Sequence, residues 1–284
     1  MQFLDSRPTS GGGVPIGLAY GPIVPPFLER HRDLVDYVEV PFEQLRHSPG
    51  SARIQDDVPV VLHCSSMSIG GFVAPTEDTL TAIGGHAART RTPWIGEHLA
   101  FISADPVEGL ECDLDPIELT YTVCPQLSQE TIERVETNLA RVRGWFPMPI
   151  ILENSPQYFE MPGSTMTMPE FVAEVSQQCD VDLLLDITHF LIATTNMGLD
   201  PTKSLELWPV ERVVEVHLSG MSQQAGSWWD DHSAPVPDAA FDVLTQVAER
   251  VQPQAVTFEY NWAPSIPDSM LQAQISRVRE LFPA

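Results

Sequence analysis

The chain has 284 residues, 39 acidic against 15 basic side chains for a formal net charge of −24, and a hydrophobic share of 43%. That length and share fit one large barrel-type domain without requiring two, and no apolar run approaches the ~20 residues a membrane helix needs. A sheath this negative repels phosphate backbones and argues against a nucleic-acid partner.

The N-terminus has no basic stretch followed by an apolar one, so no secretion signal is expected and the cytoplasm is the expected compartment. Cys64, Cys112, Cys124 and Cys179 show no C-x-x-C spacing. They are expected as reduced thiols, not as a disulfide framework, a zinc–thiolate site or an iron–sulfur site.

Residues 1–13 end in Gly11-Gly12-Gly13 and hold little apolar content, so they are expected to form a flexible leader before a domain spanning 14–284. From there, short Val/Ile/Leu runs alternate with amphipathic stretches. Val14–Tyr20, Tyr37–Val40 and Val58–His63 read as the first three strands. Thr76, followed by Glu77 and Asp78, opens a helix with acids in its first turn, and Pro93–His98 is the fourth strand. Ser128 caps a helix whose apolar positions Ile132, Val135, Leu139 and Val142 recur at helical spacing until Gly144 and Pro147 end it.

Pro149–Glu153 is the fifth strand, and Thr167 with Glu170 forms a capping-box pair ahead of Phe171, Val172 and Val175. Val181–Asp186, Val213–Leu218 and Ala255–Glu259 complete the strands, with residues 239–251 and 268–282 as the last two helices. Eight continuous apolar strands alternating with helices predict a single-domain (β/α)8 barrel. An open doubly wound sheet is the competitor, but no Gly-x-Gly-x-x-Gly follows the first strand. Longer insertions at 99–127 and 219–237 follow strands and belong on the rim where barrel active sites form. In the second, Trp228 and Trp229 either close over a substrate or pack the loop onto the barrel.

The polar residues carry the chemistry. His63 closes VPVVLH, Glu97 and His98 close PWIGEH, and Glu153 closes PIILE. Asp186 closes VDLLLD with His189 three residues on, and His217 lies at the end of VVEVH. Asp230 and His232 sit in WDDH in the loop that follows, and Glu259 closes AVTFE. Only His31, His47 and His86 of the eight histidines fall elsewhere. In a parallel barrel all strand C-termini meet at one rim, so side chains far apart in sequence converge there.

Any one of these has an ordinary reading as a hydrogen-bonded loop residue or, for an aspartate, a helix N-cap. Their joint placement points to a metal site. His63, His98, Glu153, Asp186, His189, His217, Asp230, His232 and Glu259 offer nitrogen and oxygen donors suited to iron, zinc or manganese, and nine are too many for one ion. Carboxylates can bridge neighbouring ions, so two or three ions fit, and these would remove the repulsion among the gathered acids.

Glu97 and His98 are adjacent and face opposite sides of a strand. His98 is expected as the ligand and Glu97 behind it as an acceptor for an imidazole N–H. Glu215, two residues before His217, is expected either as another such acceptor or as a plain buried ion-pair member. Asn154 is expected to bind substrate or to cap a turn.

The stretches LHCSSMSIG, WIGEHLAF, ILENSPQYF, MTMPEFVAEV, LLLDITHF, NMGLDP, VVEVHLSG, DDHSAPV and FEYNW resemble the multinuclear non-heme iron-dependent oxidative enzymes (MNIO), long catalogued as domain of unknown function 692 (DUF692). The similarity runs in order from about Gly17 to about Trp262. It implies a TIM barrel of the xylose isomerase-like type holding two or three irons, mixed Fe(II)/Fe(III), with the family's ligands falling on the nine residues above. It further implies O2-dependent modification of a ribosomally made precursor peptide in RiPP biosynthesis, frequently at cysteine, with a separate partner protein presenting the leader peptide.

Many members have Asn-Asn where this chain has Thr188-His189, which here adds a ligand and favours three ions; many have an aspartate where this chain has Asn261. Asp230, His232 and Glu153 are the residues expected to take part in catalysis, and Asn154 and Asn261 to meet the substrate. The Asp186-x-x-His189, Asp230-x-His232 and Glu259 pattern also resembles the trinuclear zinc endonucleases of the endonuclease IV type. Metal-dependent hydrolysis or sugar isomerisation on the same barrel is therefore the rival expectation, weakened for DNA by the net charge.

Overall fold

In the computed structural model, which describes residues 13–104, 117–261 and 267–283, the expected apolar runs become strands and the segments between them helices. The chain runs β1 (Ile16–Ala19), α1 (Val24–His31), β2 (Tyr37–Pro41), α2 (Phe42–His47), β3 (Val60–Cys64), α3 (Glu77–Thr90), β4 (Ile95–His98), β5 (Phe101–Ala104) and β6 (Ile117–Val123). It continues through α4 (Gln129–Arg143), β7 (Ile150–Glu153), α5 (Met168–Gln178), β8 (Leu183–Asp186), α6 (Ile187–Asn196) and α7 (Pro201–Leu207). The last elements are β9 (Val213–Ser219), β10 (Met221–Gln224), β11 (Ser227–Asp230), α8 (Asp238–Ala248), β12 (Ala255–Glu259) and α9 (Asp268–Leu281).

Eight strands close into a barrel in the order β1-β12-β9-β8-β7-β4-β3-β2, which leaves no edge on the main sheet. Each neighbouring pair for which the register is given is parallel. The open doubly wound alternative is thereby excluded. Each barrel strand lies within two residues of its expected bounds. The first begins at Ile16 and not Val14, because Pro15 has no N–H to give; its carbonyl instead accepts from Val256 N at 3.0 Å. Of the expected leader, residues 1–12 lie outside the described residues.

Both long insertions carry antiparallel hairpins where the sequence predicts only loops: β5–β6 after β4, and β10–β11 after β9. Alternation of side chains along each strand divides the interior into two layers. Tyr37, Val61, Trp94, Ile151, Leu184 and Ala255 fill the lower lumen as one apolar cluster. Two residues further along the same strands come Glu39, His63, Gly96, Glu153, Asp186 and Thr257. The outer faces pack on the helices in a single larger core. Among the described residues, no helix is long and apolar enough to cross a membrane.

Local signals fix the helix starts. Ser128 and Thr76 cap α4 and α3, and Thr167 with Glu170 completes the capping box of α5, whose Thr167 N–H and hydroxyl both donate to Glu170 Oε2 at 2.8 Å. Thr167→Ala removes the cap without altering any of the nine expected donors. It is expected to lower unfolding free energy by about 1 kcal/mol in a denaturant titration while leaving metal content unchanged.

Candidate metal centre

The upper lumen layer brings every expected histidine ligand to one mouth. Glu153, at the end of β7 and only 1% exposed, is its hub. Its Oε2 lies 3.1 Å from His63 Nε2 and 3.2 Å from His98 Nε2, and its Oε1 lies 3.1 Å from His189 Nδ1 and 3.9 Å from His217 Nδ1. His217 Nδ1 in turn stands 3.3 Å from Glu259 Oε2. On the opposite side, Asp230 Oδ2 lies 3.0 Å from His189 Nε2 and 2.7 Å from His232 Nε2.

Three sets of donor atoms, each mutually within 4.8 Å, result: His63, His98 and Glu153; Glu153, Asp186, His217 and Glu259; and His189, Asp230 and His232. All nine expected ligands fall into these sets, and Glu153 is shared between two of them. A fourth such set, Glu39, His63 and His217, contains a carboxylate outside the expected ligands.

Several of these buried atoms have no hydrogen-bond partner: both oxygens of Glu153, Asp186 Oδ2 and His217 Nδ1. The Glu153 oxygens thus approach nitrogens at little more than 3 Å without hydrogen-bond geometry. Buried polar atoms are normally partnered, so a group of them facing one another fits shared cations better than internal hydrogen bonding. The donor set, imidazole nitrogen and carboxylate oxygen without thiolate, suits iron, manganese or zinc.

The backbone places these atoms by ordinary means. Asp186 is both the last residue of β8 and the N-cap of α6: its Oδ1 accepts the His189 N–H at 2.6 Å, which leaves Oδ2 to the centre. The same cap sets His189 one helical turn on, facing the same way. His232 adopts a left-handed backbone conformation with φ 53°, held by its N–H on the Gly220 carbonyl at 3.2 Å and its carbonyl on the Asn261 N–H at 2.8 Å. Gly220 is required where it stands, since a Cβ there would collide with the Ala234 carbonyl. Gly96 makes room for His63, whose Nδ1 a Cβ would meet at 2.6 Å.

Imidazole orientation is set from behind. His98 Nδ1 lies 3.2 Å from the Cys64 carbonyl and His189 Nδ1 2.9 Å from the Asn154 carbonyl, which turns each Nε2 toward the centre. His217 is turned the other way, with Nε2 3.1 Å from Glu39 Oε2.

Two expected roles differ in the structure. Glu97 accepts the backbone N–H groups of Met67 and His98, both at 3.1 Å, and not an imidazole N–H, because the strand turns its carboxylate away from the lumen into the loop after β3. The Asn154 amide binds the Asp186 backbone from both ends, at 2.9 and 3.0 Å, so it ties β7 to β8, and it is buried to 1% exposure. Glu215 is the buried ion-pair member of its two expected readings, 3.8 Å from His217 Nε2, and also accepts hydrogen bonds from Tyr37, Thr257 and Trp94. Asn261 is exposed beside His232.

Electrostatics follow from charge gathered out of water. Burial alone would raise the Glu153 carboxyl, but the imidazoles of His98, His189 and His63 hold it well below the usual carboxylate range. Burial disfavours a charged His63, yet Glu39 and Glu153 raise it to about 10, and Asp230 likewise overrides burial to bring His232 to about 9. Burial pushes Asp186 and Glu39 up to about 7. Protons are the only cations the side chains themselves supply, and they are held tightly here.

Above the donors opens a cavity of about 620 Å³ lined by His63, His98, His189, His232 and the apolar faces of residues that include Phe159 and Met161. Trp229, from β11, stacks on Tyr158 with ring centroids 4.2 Å apart and forms part of this wall. Cys124 also lines it, its thiol pushed up to about 12 by burial. Cys64, next to His63, and Cys179 are buried free thiols that do not line the cavity, and Cys112 lies outside the described residues.

The sequence profile of the family described as RiPP precursor modification enzyme MbnB/TglH/ChrH matches residues 15–282. A UPF0276 protein of Caulobacter vibrioides is 31% identical over 260 residues, 89% of each chain. Among solved structures, a xylose isomerase domain protein from Planctomyces limnophilus superposes with a TM-score of 0.58 at 16% identity, covering 95% of this chain and 97% of its own. Endonuclease IV from Thermus thermophilus superposes with a TM-score of 0.57 at 16% identity, covering 94% and 99%. At those identities the likeness shows the xylose isomerase-like fold.

Two outcomes follow from the geometry and charge. A divalent ion must displace protons that His63 and His232 hold below about 10 and about 9, so Mn(II) uptake at pH 7 is expected to release protons and to tighten as pH rises toward 9. Calorimetry in buffers of different protonation enthalpy reads both; pH-independent affinity would contradict it. Gly96→Val is expected to displace the His63 ring and lower metal content per chain, measured by elemental analysis, with the secondary structure retained.

Proposed function

Because the chain belongs to the family of RiPP precursor modification enzymes, we propose that it uses O2 to modify a side chain of a ribosomally made precursor peptide, with cysteine the expected target, at a centre of two or three iron ions. The observation that carries this reading is the set of partnerless donor atoms around Glu153, gathered under an open cavity with an aromatic wall.

Iron would be held by His63, His98 and Glu153; by Glu153, Asp186, His217 and Glu259; and, as a third ion, by His189, Asp230 and His232. Iron bound there supplies Lewis acidity that deprotonates a substrate thiol and the electrons that reduce O2. The protein does the rest. Glu153, lying between two donor sets, keeps them at a fixed separation. His98, His189 and His232 form the floor on which a peptide side chain would rest.

Tyr158, Phe159, Met161 and Trp229 shield that floor from water and match the apolar stem of a side chain. The three cysteines described are not needed: Cys124 keeps its proton at neutral pH, and Cys64 and Cys179 are buried and do not line the cavity. The peptide is the partner this reading requires, and a second protein that presents its leader is the further one.

Hydrolysis of a phosphate ester would use the same donors. Among the described residues lining the cavity none is Lys or Arg, so a phosphate would find no guanidinium or ammonium group there beside the imidazoles. This favours the oxidative reading over the hydrolytic one.

The test uses anaerobically purified protein and a short cysteine-bearing precursor peptide encoded beside the gene. Mass change of the peptide is expected with Fe(II) and air. None is expected without O2, none after chelation, and none with Zn(II) in place of iron. Turnover at an undiminished rate without O2 would defeat the oxidase reading. Glu153→Ala is expected to remove at least one ion per chain and to abolish turnover.

A further inference from the structure

Three of the imidazoles in the centre have an acceptor behind the ring, and the acceptors are not alike. His98 Nδ1 leans on the neutral carbonyl of Cys64, and His189 Nδ1 lies between the Asn154 carbonyl at 2.9 Å and Glu153 Oε1, itself a member of the donor sets, at 3.1 Å. His217 leans on a carboxylate, Glu39 Oε2, at 3.1 Å. Both partners are buried to 1% exposure or less. Glu39 sits in the middle of β2, two residues beyond Tyr37, and so points into the lumen from a strand that contributes no residue to the expected ligand set.

We propose that Glu39 is a positioning residue: it accepts the Nε2–H of His217, and so fixes the tautomer that presents Nδ1 to the donor set of Glu153, Asp186 and Glu259. The inference rests on the metal-binding part of the proposed function. Geometry leaves His217 little choice. Its Nδ1 has no hydrogen-bond partner and faces Glu259 at 3.3 Å, while Nε2 faces the barrel interior.

The other carboxylate near Nε2, Glu215 Oε1, is 3.8 Å away. It is already engaged by Tyr37 Oη at 3.2 Å and Thr257 Oγ1 at 2.8 Å, and its other oxygen by Trp94 Nε1 at 2.7 Å. Glu215 is therefore fixed on the floor below, and Glu39 is the carboxylate in contact. A carboxylate acceptor makes an imidazole a stronger donor than a carbonyl does. The ion bound through His217 would thus have a more electron-rich nitrogen ligand than one bound through His98. The centre is made unequal by a residue that touches none of the ions.

The experiment uses the full chain, stripped of metal and titrated with Co(II) against a chelator. Wild type is expected to bind two or three ions. Glu39→Gln, which keeps the size and an acceptor oxygen but loses the charge, is expected to bind the same number at saturation. One of them should be weaker by about 10- to 100-fold, with the absorption bands of one ion shifted and the others unchanged. In a His217→Ala background the same substitution is expected to alter the remaining affinities by much less than the roughly 10- to 100-fold change with His217 present, since only the proximity of Glu39 to His63 then remains. Zn(II)-loaded wild type provides a reading that needs no variant: imidazole nitrogen NMR should show His217 protonated at Nε2 and metal-bound at Nδ1.

Unchanged Co(II) affinity in Glu39→Gln overturns the proposal, as does loss of a whole ion at saturation, which would make Glu39 a ligand. A His217 protonated at Nδ1 overturns it even if Glu39→Gln fails to fold. Wild type that takes up no Co(II) overturns both this inference and the proposed function, whereas wild type that binds normally beside an unaffected variant overturns this inference alone.

Discussion

Glu153 is almost wholly buried, and its two oxygens face the nitrogens of His63, His98 and His189 at 3.1 to 3.2 Å. Taking one carboxylate out of water costs several kcal/mol, and Asp186, Glu39 and Glu215 lie buried around it. Such a cluster is tolerable only with positive charge among the acids, either protons on the imidazoles or bound cations. Protonation keeps the fold viable, and the raised imidazoles of His63 and His232 show the side chains doing this for themselves. Cations would do it with better geometry, because they accept several of the partnerless lone pairs at once.

The barrel makes that concentration possible. Closure of eight strands leaves one lumen, and the two-residue alternation assigns each inward position to a layer. The lower layer is apolar with a single polar floor formed by Glu215, Tyr37, Thr257 and Trp94. The upper layer holds the donors. Since the inward step is fixed, a strand can pass from filling the lumen to presenting a ligand within two residues, as Ile151 to Glu153 and Leu184 to Asp186 do. Loops then need supply only Asp230 and His232, and the hairpin of β10 and β11 with the strained His232 backbone fixes those two.

This layering explains which parts were legible in the sequence. Strand positions could be read because a parallel strand covered on both faces must be a continuous apolar run, and a His, Asp or Glu ending such a run stands out. Six of the nine expected donors were visible for that reason, while His189 stood out by its spacing from Asp186 and Asp230 and His232 by the WDDH stretch after a strand, and the structure gathers all nine. Glu39 was not, although it obeys the same rule. It lies inside YVEVP and not at its end, so it reads as a lone charge in a short strand; only its parity with Tyr37 marks it as inward. Glu97 and Asn154 were misjudged because their roles depend on backbone groups of neighbouring segments, Met67 and Asp186, which no pattern of side chains reports. The rim hairpins escaped because four-residue strands such as β5 and β11 are too short for a period to show.

The unequal backing of the imidazoles bears on how such a centre divides labour. The sets already differ in composition: those around His98 and His232 each offer two imidazoles and one carboxylate, and the one around His217 offers one imidazole and three carboxylates. Two further asymmetries separate them here. The set around His232 and Asp230 is built on loop and helix and reaches the open cavity, with His232 26% exposed. The set around His217 is built on strands, and His217 itself is fully buried with a carboxylate behind it. Exposure decides where a substrate can arrive, and a charged acceptor behind a ligand decides which ion is most electron-rich. A barrel that places one of these at its mouth and the other on its floor can thus assign different tasks to ions held by the same kinds of atoms.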